Sequence, residues 1–431
     1  MKQLLPRLLK SLAEFRYSRI KRGAGEIFIA TSAGYLVSMG VMPLLTRLYS
    51  PDIFGHFATV SAIVTVASLV GSLKLDLAMP VVAEDEIQAI LRVGLMSALG
   101  AAFFVTAWFS ATATNIVVTP GSLGLVSIAI LTFLTTVTGL GDALLVRRQN
   151  YRGIALRKFA QPTIYSVGQL ALSIFQQLGM IMGAIAGRSV GLLVVFSELR
   201  KPRRIDRSSS AEISTFIRKH WRYPLIYLPS ILLNTLSIQI PLLALFHRYG
   251  AAEVGYYTLA ISMTTALPSL VASSVSNSLS GEFALRVRNG ARYQRSLYLR
   301  STSSLSILGS IFALLTALVL PKLVVPVFGA SWSTTASYIP ALGILTFTSF
   351  AIVPLDCVFA IYERTTAFAL SCVLSLCAVS AALIFTWLLD TSAIIFIAML
   401  SVARSLSHIA IWAIGLTIVS TKRYCRDSRA D

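Results

Sequence analysis

The stretch LLTRLYSPDIFGHFATVSAI, residues 44–63, interrupts a chain that is otherwise mostly apolar. An arginine (Arg47), a turn signal (Ser50-Pro51-Asp52) and a glycine (Gly55) stand between two hydrophobic runs. Each run is about 20 residues long, enough to cross a hydrocarbon core of roughly 30 Å as a helix. A related arrangement, PLLALFHRYGAAEVGYYTLAIS, occupies residues 241–262. In both, a proline precedes the glycine that opens the following run, Pro43 by 12 residues and Pro241 by 14. The runs themselves begin alike, GHFATVSAI and GYYTLAIS, with aromatic residues followed by small polar ones. One short connection between membrane spans is used twice.

The rest of the chain agrees. Its 431 residues are 55% hydrophobic and only 13% charged, with a mean hydropathy of +0.75. A water-soluble protein of this length needs more charge on its surface. The apolar runs predict an all-α polytopic membrane protein of about 12 transmembrane helices, at residues 27–46, 55–80, 91–110, 122–145, 159–175, 178–197, 224–246, 255–280, 301–321, 338–359, 367–388 and 392–419. No cleavable signal peptide is evident. Instead, MKQLLPRLLKSLAEFRYSRIKRG carries seven Lys/Arg and reads as a basic, partly amphipathic segment against anionic lipid. Cys357, Cys372, Cys377 and Cys425 form no CxxC pair, so neither a disulfide framework nor a metal site is indicated.

A net charge of +19 raises the question of nucleic acid, and the placement of the charges answers it. Lys/Arg fall in alternate connections: the N-terminus, residues 146–158, 198–222, 282–300 and the tail from Lys422. The opposite connections hold little beyond Arg47, Arg248 and Lys322. This bias puts both termini in the cytoplasm and makes the charge a record of topology, with no nucleic-acid partner. The polar stretch around residues 197–224 divides the spans into two lobes of six around a central cavity, a plan that transporters share. The expected domains are a basic segment 1–25, an N-lobe 26–200, a linker 201–222, a C-lobe 223–421 and a tail 422–431.

Nothing points to an enzyme. All connections on the Arg47 side are short, and there is no P-loop, DxD, HExxH or GxSxG signature. The triplet Glu84-Asp85-Glu86 reads as a solvated helix start. What the spans do contain is polar stripes. Ser61, Thr65, Ser68, Ser72 and Asp76 share one helical face in the second span, and Ser262, Thr265, Ser269, Ser273, Ser276 and Ser280 repeat it in the eighth. Thr31, Tyr35, Ser38 and Met42 mark the first span; Ser230, Asn234, Ser237 and Pro241 the seventh; Ser166, Gln169, Ser173 and Gln176 the fifth. Close helix packing and a hydrated path both produce such stripes.

Ionisable residues within spans face a bundle interior or water. The candidates are Asp76, continuing the second stripe; Lys74, about 200° round from it; Arg188, flanked by Gly183, Gly187 and Gly191; and Asp142, within reach of Arg147 and Arg148. Arg404 and His408 lie one turn apart on the last span, with Asp356 the expected partner of Arg404. Lys158 and Arg222 end the fifth and seventh spans.

RLYSPDIFG (47–55), SLKLDLAMPV (72–81) followed by an acidic turn, YPLIYLPSILLNTLSIQIPLLALF (223–246), GYYTLAISMTTALPSLVASSVSNSLSGEF (255–283) and VFGASWSTTASYIPALGIL (327–345) resemble, in order and spacing, the Wzx-type O-antigen and exopolysaccharide flippases of the multidrug/oligosaccharidyl-lipid/polysaccharide superfamily. The resemblance covers nearly the whole chain. It implies a two-lobed transporter in the bacterial inner membrane that moves polyprenyl-pyrophosphate-linked oligosaccharides for surface polysaccharide synthesis. Membrane lipids, a polysaccharide polymerase, glycosyltransferases and a coupling H+ or Na+ are its implied companions; no cofactor is implied. Arg47 would stand at an outer gate, and Arg47, Lys74, Asp76, Asp142, Lys158, Arg188, Arg222 and Asn234 are the candidate substrate contacts. A multidrug-type cation antiporter and a non-transporting scaffold of a glycan-assembly complex are the competing readings.

Overall fold

The computed structural model describes residues 4–84, 86–112, 122–199, 218–288, 294–362 and 364–420. Asp85, linker residues 201–217, Cys425 with the tail from 422, and the side chains of residues 1–22, Ser269 and Ser273 lie outside the described residues.

All regular structure among the described residues is helical. The helices are α1 (Leu4–Leu48), α2 (Pro51–Ser72), α3 (Leu75–Ala78), α4 (Ile87–Thr112), α5 (Ser122–Arg147), α6 (Tyr151–Ala171), α7 (Gln177–Leu199) and α8 (Leu228–Tyr249). They continue as α9 (Ala251–Arg288), α10 (Arg295–Phe328), α11 (Ser333–Ala341), α12 (Gly343–Ile352), α13 (Cys357–Ile361), α14 (Thr365–Leu388) and α15 (Ala393–Ser420). Ten helical stretches among the described residues are long and apolar enough to cross a membrane, and the chain is a multi-pass membrane protein. The expected fifth span is a helix too, α6, but Arg152, Arg157 and Lys158 keep it more polar than the others.

Two expected spans are broken. The second was expected to run through residue 80, yet α2 stops at Ser72, and Leu73 and Lys74 take positive φ angles of 46° and 52°. The Ser72 hydroxyl accepts the Lys74 N–H at 3.2 Å, and the Leu73 N–H goes to the Val70 carbonyl at 3.1 Å. A serine competing for backbone donors and a left-handed pair end the helix. The expected tenth span is split into α11, α12, a 3-10 turn at Val353–Asp356 and α13. Pro340 and Pro354 lie in or beside these breaks, where a missing N–H and a bulky ring end regular bonding.

The chain divides into two compact units. The first comprises Met1–Leu48 and Ala67–Leu228, the second Tyr49–Val66 and Pro229–Asp431. Lipid tails are as apolar as leucine, so close packing of small residues, more than water exclusion, joins the helices. In the first unit Gly71 of α2 packs on Ala101 and Thr136, and Gly183 and Gly187 of α7 pack on Gln169 and Tyr165 of α6. Leu75, Met79, Ile90, Leu140 and Leu144 form a core beneath α3. The second unit has its own core, built on Phe283, Tyr298, Phe350, Val358 and Val419.

Candidate functional site

The two related loops come together within the second unit. At the first, Pro51 occupies the opening helical position of α2, the Phe54 N–H bonds to the Ser50 carbonyl at 3.2 Å, and Asp52 sits in the first turn, where the helix dipole favours an anion. At the second, Gly250 closes α8 with φ +91°, a conformation open to glycine, and Glu253 takes the first turn of α9. The two helix starts then pack backbone to backbone. A Cβ on Gly55 would lie 2.6 Å from the Ala251 carbonyl carbon and closer still to its oxygen; one on Gly255 would lie 2.8 Å from the Pro51 carbonyl carbon. Only hydrogen fits at either position.

Aromatic rings fill the space around this crossing. Phe54 and Tyr256 both set an edge against the fully buried Trp332, at centroid distances of 5.0 and 6.0 Å, and Tyr49 packs on Phe54. His56 meets Phe246 at 5.3 Å, and the Tyr338 hydroxyl donates to Glu253. Beside the second loop Arg248 donates to the Thr386 carbonyl at 2.9 Å and to Asp390 at 2.7 Å, and the Tyr249 hydroxyl donates to the Thr391 carbonyl. Arg47, before the first loop, has an exposed side chain.

The charged candidates of the first unit are arranged otherwise than expected. Because α2 ends at Ser72, Asp76 does not extend the stripe, and Lys74 does not point away from it: Lys74 Nζ and Asp76 Oδ2 pair at 3.1 Å. Asp142 passes over Arg147 and Arg148 and pairs with Arg157. Arg147 instead donates to the Met79 and Val82 carbonyls at 2.7 and 2.6 Å and lies 3.4 Å from Glu84. Nor is the acidic turn simply solvated. Glu86 is largely buried and held by Lys219 at 2.7 Å and His220 at 3.3 Å. Burial raises its pKa, but Lys219, the Ala83 N–H and His220 together outweigh burial and hold the carboxyl below its usual range. The polar stripe in α2 is divided: Ser68 and Ser72 are buried in packing contacts, whereas Thr65 is exposed and bonds back to its own helix at the Ser61 carbonyl.

Arg188 lies against Tyr165, and no carboxylate pairs with it among the described residues. In the second unit Arg404 faces Tyr257, and the expected pairing with Asp356 is not made. Asp356 lies instead near Tyr298 and Cys357. His408 is 3.2 Å from the Thr348 hydroxyl, which in turn donates to Ser405. Arg222 and Asn234 are exposed; of the Asn234 polar groups, the carbonyl accepts the Ser237 hydroxyl.

The structure thus joins Asp142 to the neighbourhood of Lys158 and joins Lys74 to Asp76, and it gathers no single cluster of all eight candidates. Sequence reasoning missed Arg157, because a span starting at 159 leaves it in a connection, whereas α6 begins at Tyr151. The signal was available: Asn150 accepts the Gly153 N–H at 2.9 Å as an N-cap. Trp332 was missed too, since nothing local marks it as the point where two distant helices meet.

A model of a family described as polysaccharide biosynthesis protein matches residues 44–337. The chain is similar, at 24% identity over 344 residues, to the succinoglycan biosynthesis transport protein ExoT of Rhizobium meliloti, covering 78% of this chain and 67% of that one. Its backbone is similar to the lipid II flippase MurJ in an inward closed conformation, with a TM-score of 0.57 at 13% identity over 96% of this chain and 86% of MurJ. A MOP superfamily transporter from Pyrococcus furiosus superposes with a TM-score of 0.55 at 13% identity, over 92% of this chain and 94% of that one. An inward-facing multidrug resistance MATE transporter gives 0.52 at 14%, over 91% and 94%. At such identities the structural likeness concerns the fold alone.

Proposed function

The chain belongs to the polysaccharide biosynthesis protein family, and from that premise we propose that it is a flippase turning polyprenyl-pyrophosphate-linked oligosaccharides across the bacterial inner membrane. Its product would feed a surface polysaccharide: O-antigen, capsule or exopolysaccharide. The observation that carries the substrate class is the sign of the charge inside the spans. Arg157, Lys158, Arg188 and Arg404 stand against Asp142 and Asp356, and neither Arg188 nor Arg404 has a carboxylate partner among the described residues. A cation in a low-dielectric interior is costly unless an anion meets it. A pyrophosphate is such an anion. A cation antiporter calls for the opposite polarity.

The mechanism that suits this reading is alternating access. The Lys/Arg bias supports a cytoplasmic position for both termini and, with it, a periplasmic one for both glycine loops. The Gly55–Gly255 crossing and the rings around Trp332 then form the closed outer gate, which must part for glycan to leave. Arg47 at this mouth is suited to bidentate phosphate contact during release. Arg188 and Lys158 serve the anion within the first unit, with Asp142 orienting Arg157 beside them. Lys74, Asp76, Arg222 and Asn234 are assigned no substrate contact.

The test is transport by the purified chain in sealed vesicles loaded with a fluorescent polyprenyl-pyrophosphate oligosaccharide. Accessibility of the glycan to an external lectin should rise at least about tenfold faster than in protein-free vesicles, a difference of about 1.4 kcal/mol in barrier. Extrusion of organic cations without glycan movement would replace this reading with the antiporter. Movement of neither would leave the scaffold.

A further inference from the structure

Pro162 sits inside α6 and offers no N–H to the Lys158 carbonyl one turn back. Gly34 of α1 packs over that freed carbonyl, 2.8 Å from where a Cβ would stand. Beside this contact the two helices line an open-sided cavity of about 260 Å³. Its polar lining is Thr31, Tyr35 and Ser38 from α1 and Arg157, Lys158 and Gln161 from α6.

Most acceptors and donors of that lining are already engaged. Thr31 donates to the Ile27 carbonyl at 2.7 Å; Ser38 donates to the Pro162 carbonyl at 3.4 Å and accepts from Ser166 at 3.0 Å. The Arg157 guanidinium is shared between Asp142 and Gln161 Oε1, the latter at 2.6 Å. Because Gln161 must present its oxygen to Arg157, its NH₂ is turned away from that contact. Among the described residues no hydrogen bond meets this NH₂ or the Tyr35 hydroxyl, and the Lys158 ammonium, exposed and without a hydrogen bond, acts on Asp142 through its charge alone. The groups left over are donors, and Asp142 is not part of the lining. Arg157, Lys158 and Asp142 together carry one net positive charge. Unengaged donors beside a net positive charge, set in a mostly apolar wall, suit an oxyanion.

We propose that this cavity is a phosphate-headgroup subsite within the first unit, held by Lys158, Gln161 and Tyr35. The proposal rests on the flippase reading for its setting but concerns binding alone. The same phosphate chemistry is offered by a lipid-linked pyrophosphate and by an anionic phospholipid of the bilayer, so the experiment carries an arm for each.

The full chain in phosphatidylcholine nanodiscs is titrated with inorganic pyrophosphate by calorimetry. Lys158→Gln should weaken binding about tenfold and Lys158→Arg by no more than about threefold, since charge is kept. Tyr35→Phe, which changes no packing volume, should weaken it about threefold through the lost hydroxyl. Arg295→Gln, a surface cation on α10, should change nothing. In the second arm phosphatidylglycerol replaces a third of the lipid. Weaker pyrophosphate binding by the unsubstituted chain, with no further loss in Lys158→Gln, identifies the bilayer headgroup as occupant; unchanged binding identifies the lipid-linked substrate. Equal affinity in Lys158→Gln and Tyr35→Phe, or no pyrophosphate binding by the unsubstituted chain, overturns the site. No pyrophosphate binding by the unsubstituted chain with its vesicle transport intact would remove the subsite and leave the flippase; binding by that chain without transport would do the reverse.

Discussion

The two glycine loops reach one geometry by different chemistry. The first opens its helix with a capping serine, a proline and an aspartate; the second ends the preceding helix on a glycine at positive φ. Past that point they are equivalent, since Gly55 and Gly255 each lie against the other's opening turn. Before it they part again. Arg248 is fastened to Thr386 and Asp390, whereas Arg47 presents an exposed side chain. The difference teaches that the backbone crossing is what both halves share, and that the arginines beside it differ in exposure, Arg248 being largely covered and Arg47 exposed.

The largest effect should come from the crossing itself. Gly55→Ala and Gly255→Ala each put a methyl into a backbone carbonyl, and overpacking of rigid groups costs about 1–3 kcal/mol or forces the helices apart. Each should lower glycan transport more than about tenfold. Gly40→Ala, whose Cβ would meet nothing within 4 Å, should leave it unchanged. If either loop tolerated alanine while the other did not, the reciprocity of the crossing would be broken.

Next come the arginines. Arg47→Ala should remove most transport at matched protein levels, while Arg47→Lys keeps part of it because the charge survives without the planar fork. Arg248→Ala should change transport less than about twofold, since its partners Thr386 and Asp390 lie within the same unit, although its loop loosens. Limited proteolysis at the α14–α15 connection would report that loosening. Normal transport by Arg47→Ala would erase the asymmetry between the loops.

Much of this was legible in the sequence. Apolar runs of span length, Lys/Arg in alternate connections and the twice-used loop announce a polytopic helical transporter. The side-chain pairings were not. Reading residues 61–76 as one helix assumed that an apolar segment continues until charge stops it, whereas Ser72 and two left-handed residues stop α2 sooner. That break turns Asp76 from a member of the stripe into the partner of Lys74. Asp142 chose Arg157 over Arg147 and Arg148 for a similar reason: the partner came from a helix start placed eight residues later than Tyr151 by hydropathy alone. Long-range pairings of this kind depend on where helices end, which composition registers poorly.

The rings around the crossing should show a moderate asymmetry. Phe54 is buried to 5% exposure and edges Trp332 more closely than Tyr256 does. Phe54→Ala should therefore destabilise the second unit by about 3 kcal/mol, measured by unfolding in mixed micelles. Tyr256→Ala, at a half-buried ring, should cost about 1 kcal/mol. Equal losses would mean that Trp332 is held by both helices alike, and would make the crossing more symmetric than its distances indicate.

The smallest effects separate the two ways of turning the chain. Gly250 has φ +91°, where a Cβ is strained whatever space surrounds it, and nothing lies within 4 Å of the site. Gly250→Ala should thus cost about 1 kcal/mol from backbone strain alone, with no steric clash to confuse the reading. Gly250→Asn should cost less, since asparagine enters left-handed conformations more readily. Ser50 gives its cap more weakly, the Ile53 N–H lying 3.5 Å from its hydroxyl, while Pro51 has already set the opening φ of the helix. Ser50→Ala should therefore cost only about 0.5 kcal/mol. The same unfolding measurement reads all three. An alanine at 250 as mild as the one at 50 would show that the second loop, like the first, is held by the helices it joins and not by its own turn; a clear excess at 250 would show that the second loop depends on its glycine where the first has a proline to do the same work.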